Sequence, residues 1–128
     1  MASFQSFVEI EAWQLAQELT SEIYAVSNRP RFSKDFALRD QVRRAAVSIM
    51  ANIAEGFERS GSGEFLQFLA IAKGSVGEVI SHLYVASDQG YIDEPDFRRL
   101  QTLATDTGRK IGALMVYLRK SNVRGPKY

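Results

Sequence analysis

The chain has 128 residues, of which 45% are hydrophobic and 24% charged, and it contains one histidine and no cysteine. A chain of this length is expected to form one domain, residues 1–128, with a core that needs no crosslinks. The lack of cysteine excludes disulfides, thiol nucleophiles and thiolate zinc sites, and the single histidine excludes a multi-histidine metal site within one chain. No apolar run is long enough to span a membrane and no signal peptide is recognisable, so we expect a cytoplasmic protein.

The net charge of +1 results from strong segregation of charged residues along the chain. Residues 1–28 carry −4 and residues 45–106 carry −5, whereas residues 29–44 carry +4 and residues 107–128 carry +6. One interpretation is that oppositely charged helices lie side by side in a bundle. The other is a basic surface that contacts a polyanion. The two are compatible, because a bundle can pair some charges and still expose others.

Residues that start and stop helices divide the chain into four predicted α-helices. Ser6 and Glu9 have the spacing of a capping box at the start of the first helix. Ser33 is expected to cap a turn that leads into the second helix, Gly90 to end the third and Asp93 to cap the fourth. The four helices are predicted at about 7–27, 38–58, 64–89 and 94–121.

The predicted connections between the helices are short, and no strand-like alternation extends over more than a few residues. Short connections between long helices favour antiparallel neighbours. The sequence therefore predicts an all-α protein, an antiparallel up-down-up-down four-helix bundle with a basic tail at residues 119–128.

The apolar faces of the second and third helices are wider than the core of one bundle requires. Val47 and Ala54 widen the apolar face of the second helix, and Ile71 widens that of the third. The third helix also carries a row of small residues at helical spacing: Ala70, Gly74, Gly77 and Ser81. Each glycine there costs about 1 kcal/mol of helix propensity. Close approach of another backbone and irregular packing within the monomer both explain the row; we expect self-association.

No motif for catalysis or for metal binding is recognisable. Di-metal helical bundles need Glu-x-x-His motifs on two helices, whereas Glu78 and His82 are four residues apart and no second histidine exists. His82 is expected on a polar face, within hydrogen-bonding reach of Glu78. Phosphate-binding loops of the Walker type and serine nucleophile motifs are also missing from the sequence. We therefore expect a protein with no enzymatic activity and no cofactor.

A polar stripe runs along the second helix within about 80° of arc. Its members, hereafter the polar ladder, are Gln41, Arg44, Ser48, Asn52 and Glu55. A solvated face and a hydrogen-bonded ladder between helices or subunits both fit this stripe, with Arg44 and Glu55 as opposite charges near its ends. If it is buried, loss of one member leaves its partners unpaired at about 1–3 kcal/mol.

Several motifs distributed over most of the chain resemble one known family. The most specific run comprises Arg44-Ala45-Ala46-Val47-Ser48-Ile49 and Asn52-Ile53-Ala54-Glu55-Gly56-Phe57. The accompanying motifs are Phe7-x-x-Ile10-x-x-Trp13, Leu38-x-x-Gln41, Phe65-x-x-Phe68-Leu69-x-Ile71-Ala72-x-Gly74-Ser75-x-x-Glu78 and Gly90-Tyr91. From about Phe7 to Leu118 the sequence resembles the bacterial 23S rRNA intervening-sequence proteins, also called four helix bundle proteins. Ala37, in place of a more usual glycine, is a mild departure, as is Val76-Gly77.

The resemblance implies a four-helix bundle that assembles into a ring, expected to be a pentamer. Related proteins include the accessory protein of diversity-generating retroelements, a basic pentameric barrel that binds nucleic acid and a reverse transcriptase. We therefore predict a non-enzymatic, oligomeric accessory protein that binds RNA or DNA. The alternative is a structural or adaptor homo-oligomer that binds a protein partner and no nucleic acid.

Basic residues outside the polar ladder are the predicted contacts to nucleic acid: Arg39, Arg43, Arg59 and Lys73. The basic residues of the tail are expected to contribute less: Arg119, Lys120, Arg124 and Lys127. The first two of these also complement the carbonyl end of the fourth helix. The polar ladder is expected to serve folding or assembly before any ligand binding.

Overall fold

The computed structural model describes residues 4–121, and these form helices and no strand. A 3-10 turn at Phe7–Glu9 precedes five α-helices, namely α1 (Glu11–Ser27), α2 (Pro30–Lys34), α3 (Phe36–Glu58), α4 (Ser62–Asp88) and α5 (Glu94–Ser121). The prediction of an all-helical protein is confirmed. The short helix α2 was not predicted, and Arg124 and Lys127 of the predicted tail lie outside the described residues.

Two helix starts differ from the prediction, α1 in its position and α3 in the residue that caps it. The Ser6 hydroxyl accepts a hydrogen bond from the Val8 amide at 3.3 Å, which caps the 3-10 turn rather than α1. The Glu9 carboxylate accepts from the Gln5 amide. Helix α1 begins at residue 11, four residues later than predicted, and has no side-chain cap. Ser33 lies inside α2, and the carboxylate that caps α3 belongs to Asp35, which accepts from the Leu38 amide at 3.2 Å.

The predicted end of α4 and start of α5 are confirmed. Gly90 adopts φ +74°, a left-handed conformation that glycine reaches without steric penalty. The Tyr91 amide donates to the Ala86 carbonyl at 2.9 Å and the Gly90 amide to the Ser87 carbonyl at 3.0 Å. This pair of bonds is a Schellman motif. Three residues later the Asp93 side chain accepts from the Asp96 amide at 3.0 Å and caps α5.

Each long helix packs against two others: α1 against α3 and α5, and α4 against α3 and α5. Between α1 and α5, Glu11 pairs with Lys110 at 3.1 Å and Glu22 pairs with Arg99. These contacts run in opposite order along the two helices. They also agree with the first interpretation of the charge pattern, because the acidic first segment of the chain lies against basic residues of α5. Surface pairs of this kind contribute at most about 1 kcal/mol each.

The core between these helices is apolar and contains the largest fully buried side chains. They are Ile10, Leu19, Ile23, Phe32, Ile49, Ile53, Phe65, Leu69, Leu83, Leu100, Ile111 and Leu118. Helices α3 and α4 lie close together at Gly56, where an added Cβ would lie 2.8 Å from Cβ of Phe68 and 2.9 Å from Cδ1 of Phe65. Only glycine fits at this position without displacement of a neighbour.

A second close association, hereafter the Tyr91 junction, joins α2 and the start of α3 to the α4–α5 loop. Arg31 donates to the carbonyls of Gln89 and Gly90 at 3.2 and 3.3 Å, and its guanidinium lies 5.5 Å from the Tyr91 ring. The Tyr91 hydroxyl donates to Asp35 at 3.0 Å. The carboxylate of Asp35 therefore caps α3 with one oxygen and holds Tyr91 with the other.

Protein stability at alkaline pH is expected to depend on Tyr91. Its hydrogen bond to Asp35 raises the pKa of the Tyr91 hydroxyl above 10.0, assisted by desolvation and by the Asp35 charge. Because the folded pKa is the higher one, this contribution is complete below the unfolded pKa and is lost as the pH rises through the folded value. In urea unfolding at increasing pH, the free energy of unfolding of Tyr91→Phe is expected to decline less steeply than that of the parent. Equal slopes above pH 10.0 would contradict the assignment.

Within residues 4–121, no helix is long and apolar enough to cross a bilayer.

Candidate nucleic-acid interface

The four predicted nucleic-acid contacts lie at separate places on the surface. Arg39 and Arg43 are one turn apart in the first half of α3. Arg59 follows the last residue of α3, about 24 Å from Arg43 along the helix axis. Lys73 lies on the side of α4 that faces α5, where it borders a shallow groove with Arg109. Only Arg39 and Arg43 are close enough to share a binding surface within one chain.

Arg43 is held in place without being neutralised. Its Nε donates to the buried Ser27 hydroxyl at 2.7 Å, and its guanidinium lies 4.7 Å from the centre of the Tyr24 ring. Arg43 makes no ion pair with any carboxylate in residues 4–121, and neither do its terminal nitrogens donate a hydrogen bond there. A guanidinium positioned in this way presents its fork of donors to a ligand with little further loss of side-chain entropy.

Arg39 is partly neutralised. Its Nε donates to Asp40 at 2.9 Å and a terminal nitrogen donates to the Ser33 carbonyl at 3.1 Å. The guanidinium also lies 4.9 Å from the centre of the Phe36 ring. Cation–π contacts at exposed sites contribute about 0.5–1 kcal/mol. Arg39 is thus ordered, but it contributes less net positive charge to the surface than Arg43.

Arg59 interacts with acidic residues on both of its sides. It pairs with Glu55 at 2.8 Å and with Glu64 at 3.6 Å, and its guanidinium lies 5.1 Å from the ring of Phe68. These carboxylates offset its charge, so Arg59 contributes to the α3–α4 connection in addition to any contact with a ligand.

The polar ladder is divided between the α3–α4 interface and the surface. The hydroxyls of Ser48 and Ser75 are hydrogen-bonded at 3.0 Å, and Asn52 donates to the Ser48 carbonyl at 2.8 Å. This centre of the ladder lies between two helices of the same chain. The other three members, Gln41, Arg44 and Glu55, are exposed, and Glu55 pairs with Arg59 instead of Arg44.

Exposed apolar side chains surround Arg43, and sequence reasoning recognised only one of them. Phe36 is 64% exposed, Tyr24 44% and Val47 42%. Phe36, Arg43 and Val47 share one face of α3, at steps of seven and four residues. Together with Tyr24 of α1, Arg39 and Arg44, these residues form the α3 patch. The sequence pattern of α3 does not identify Tyr24, because this residue belongs to α1. For Phe36, the spacing of three residues to Arg39 is the feature of the sequence that could have identified it.

A second exposed surface lies on α4. Ile71 is 53% exposed, and Tyr84 and Val85 are also exposed. An added Cβ at Gly74 or Gly77 would meet nothing within 4 Å in the described part of the chain. Packing within the described residues therefore gives no reason for glycine at these two positions.

The hydrogen bonding of His82 on α4 differs from the expectation. Its Nε2 is buried and has no hydrogen-bond partner among residues 4–121. The expected bond to Glu78 through this nitrogen is therefore wrong. No group of three or more His, Asp or Glu in the same residues is arranged to hold a metal ion.

The fold is similar to that of a crystallised protein of unknown function from the S23 ribosomal protein family of Bacteroides thetaiotaomicron. The TM-score is 0.74 at 20% sequence identity, and the match covers 81% of this chain and 97% of that chain. This likeness concerns the fold alone. No curated protein matches the sequence.

The motifs from Phe7 to Leu118 agree with a family match. The family of 23S rRNA-intervening sequence proteins matches residues 8–113, a range that contains the polar ladder, Gly56 and the α3 patch. The resemblance found in the sequence is confirmed at this level. By this match over most of its length, the chain belongs to the 23S rRNA-intervening sequence protein family.

Proposed function

We propose that the protein is a non-enzymatic, oligomeric accessory factor of the cytoplasm that binds RNA or DNA through the α3 patch. The observation that carries the proposal is the state of Arg43, a guanidinium held by Ser27 and Tyr24 with its terminal donors unused in the described residues. Arg44 beside it is exposed and makes no ion pair within residues 4–121. Phosphate is one of the two groups, with carboxylate, whose geometry such forked donors match.

Assembly into a ring would strengthen this weak basic surface. One chain has a net charge of only +1, so a single patch provides few phosphate contacts. In a closed oligomer, proposed to have five subunits, the patch is repeated and its field is shared along a bound polyanion. The opposed order of contacts between α1 and α5 supports the up-down-up-down arrangement that we propose for each subunit. A retroelement-type accessory role would use the same surface.

Loss of Arg43 and Arg44 is expected to reduce nucleic-acid affinity about tenfold or more, because each phosphate contact that is lost removes one charge pair from the complex. The experiment is a titration of the purified oligomer with structured RNA and with duplex DNA at several salt concentrations. For R43A/R44A the slope of log affinity against log salt is expected to decrease by about two.

A matched control removes two arginines from another surface. Arg98 and Arg109 are both exposed on α5, so R98A/R109A changes the net charge equally and is expected to leave affinity and slope near those of the parent. Equal losses in the two variants would mean that total charge, and not the α3 patch, governs binding. Absence of binding by the parent at low salt would refute the nucleic-acid proposal.

An adaptor function is the second candidate, and the α4 surface is the observation that favours it. Ile71, Tyr84 and Val85 are exposed at different points along α4, and the backbone of the same helix is open at Gly74 and Gly77 within residues 4–121. A homo-oligomer that used part of this surface for assembly and the rest for a protein partner would need no nucleic acid. Under this function the R43A/R44A variant would retain full partner binding.

A further inference from the structure

The two aromatic rings of the α3 patch have no structural role that explains their exposure. Phe36 is the first residue of α3 and is 64% exposed, and Tyr24 projects from α1 with 44% exposure. Single exposed apolar residues are common on protein surfaces. Here, however, two rings and Val47 lie together on one basic patch, and such clustering is typical of a contact surface.

Each ring carries an arginine, so the patch alternates aromatic and cationic groups. Arg39 lies 4.9 Å from the Phe36 ring and Arg43 lies 4.7 Å from the Tyr24 ring. Arg43 follows Phe36 by seven residues, which is about 11 Å along α3. The rings are thus restricted in position by the arginines, while Arg44 next to them stays free of any ion pair in the described residues.

A second copy of the same surface is a poor occupant for this patch. The three arginines outnumber the single carboxylate of Asp40 among its charged residues. Two such patches brought face to face would place like charges opposite each other, which opposes association. An anionic partner with planar apolar groups satisfies both components of the patch.

We infer that the α3 patch binds single-stranded nucleic acid, with bases stacked on Phe36 and Tyr24 and phosphates held by Arg39, Arg43 and Arg44; this inference rests on the proposed function. Bases of a duplex are already stacked on one another and are unavailable to protein rings. Those of a single strand are free to stack on aromatic side chains, and this stacking adds affinity whatever the base. The rings therefore add affinity for single strands that phosphate contacts alone do not provide.

The test measures fluorescence anisotropy of a labelled single-stranded RNA without self-complementarity, and of the duplex it forms with its complement. F36L/Y24L retains apolar side chains but removes both rings. It is expected to bind the single strand about tenfold or more weakly than the parent and to lose less affinity for the duplex, where only the support of Arg39 and Arg43 by the two rings is removed. Phe36→Trp enlarges the ring and is expected to match or exceed the parent on the single strand.

The outcomes separate this inference from the proposed function. If the parent binds neither nucleic acid at low salt, the proposed function fails. If the parent binds both but F36L/Y24L weakens neither, or weakens both equally, the stacking inference is overturned while the proposed function stands. A change in the oligomer mass of F36L/Y24L, measured by light scattering, would identify the rings as a subunit contact and would also overturn it.

Discussion

Gly56→Ala is expected to destabilise the folded protein by about 2 kcal/mol. The new Cβ would lie 2.8 Å from Cβ of Phe68, an atom fixed to the α4 backbone, and 2.9 Å from the ring of Phe65. Overpacking of this kind costs about 1–3 kcal/mol, and helix propensity returns about 1 kcal/mol or less so close to the end of α3. Either the two helices move apart or Phe65, which is fully buried, leaves its position.

The measurement is the free energy of unfolding from urea titration, with Gly63→Ala as the matched control. Gly63 lies in the first turn of α4, and an added Cβ there would meet no atom of residues 4–121 within 4 Å. The same chemical change is therefore expected to leave stability unchanged or to increase it slightly. A Gly56→Ala protein as stable as the parent would show that α3 and α4 approach less closely than described.

The purified protein is expected to have a mass in solution near five times the 14.4 kDa of the chain. The exposed apolar residues of α4 and the open backbone at Gly74 and Gly77 form the surface expected to mediate assembly. Ile71→Asp places a charge on this surface, and an unpaired charge buried at a subunit contact opposes association strongly. We expect this variant to be a folded monomer by light scattering coupled to size exclusion.

Gly77→Ala distinguishes assembly from folding. In a single chain the added methyl group has no neighbour within 4 Å among residues 4–121, so helix propensity is expected to increase the stability of the fold by about 1 kcal/mol. In the oligomer the same methyl group is expected to hold the neighbouring backbone away and to weaken assembly. A parent protein that is monomeric at micromolar concentration, or a Gly77→Ala protein that assembles as tightly as the parent, would contradict the proposed interface.

The long helices could be predicted from the sequence because their apolar periodicity and stop signals are local. The end of α4 depends on Gly90, which adopts the left-handed backbone conformation that stops the helix. The start of α5 depends on the Asp93 side chain, which accepts from the amide three residues later. Helix α2 could not be predicted in the same way. In sequence Pro30 fits two positions, the residue after one helix and the first turn of another, and in the structure it occupies the first turn of α2.

The candidate site could be predicted only in part, because its properties depend on contacts between helices. The sequence identifies Arg43 as a basic residue outside the polar ladder. Its anchoring by Ser27 and Tyr24 could not be predicted, because it requires α1 to lie beside α3. Arg59 had the same appearance in sequence, yet Glu64 of the next helix approaches it and offsets its charge. Charge and spacing along the chain do not determine which basic side chains are neutralised by residues of other helices.

The Tyr91 junction holds the two halves of the chain together at a point away from the loop between α3 and α4. Residues 4–60 and 61–121 meet where α3 packs on α4 and α1 on α5, and the hydrogen bonds of Arg31 and Tyr91 join them again at the opposite end from that loop. The Ser60–Gly61 bond therefore tethers halves that already recognise each other. Cleavage there is expected to leave a nicked protein that stays associated, and the two fragments, expressed separately, are expected to complement each other.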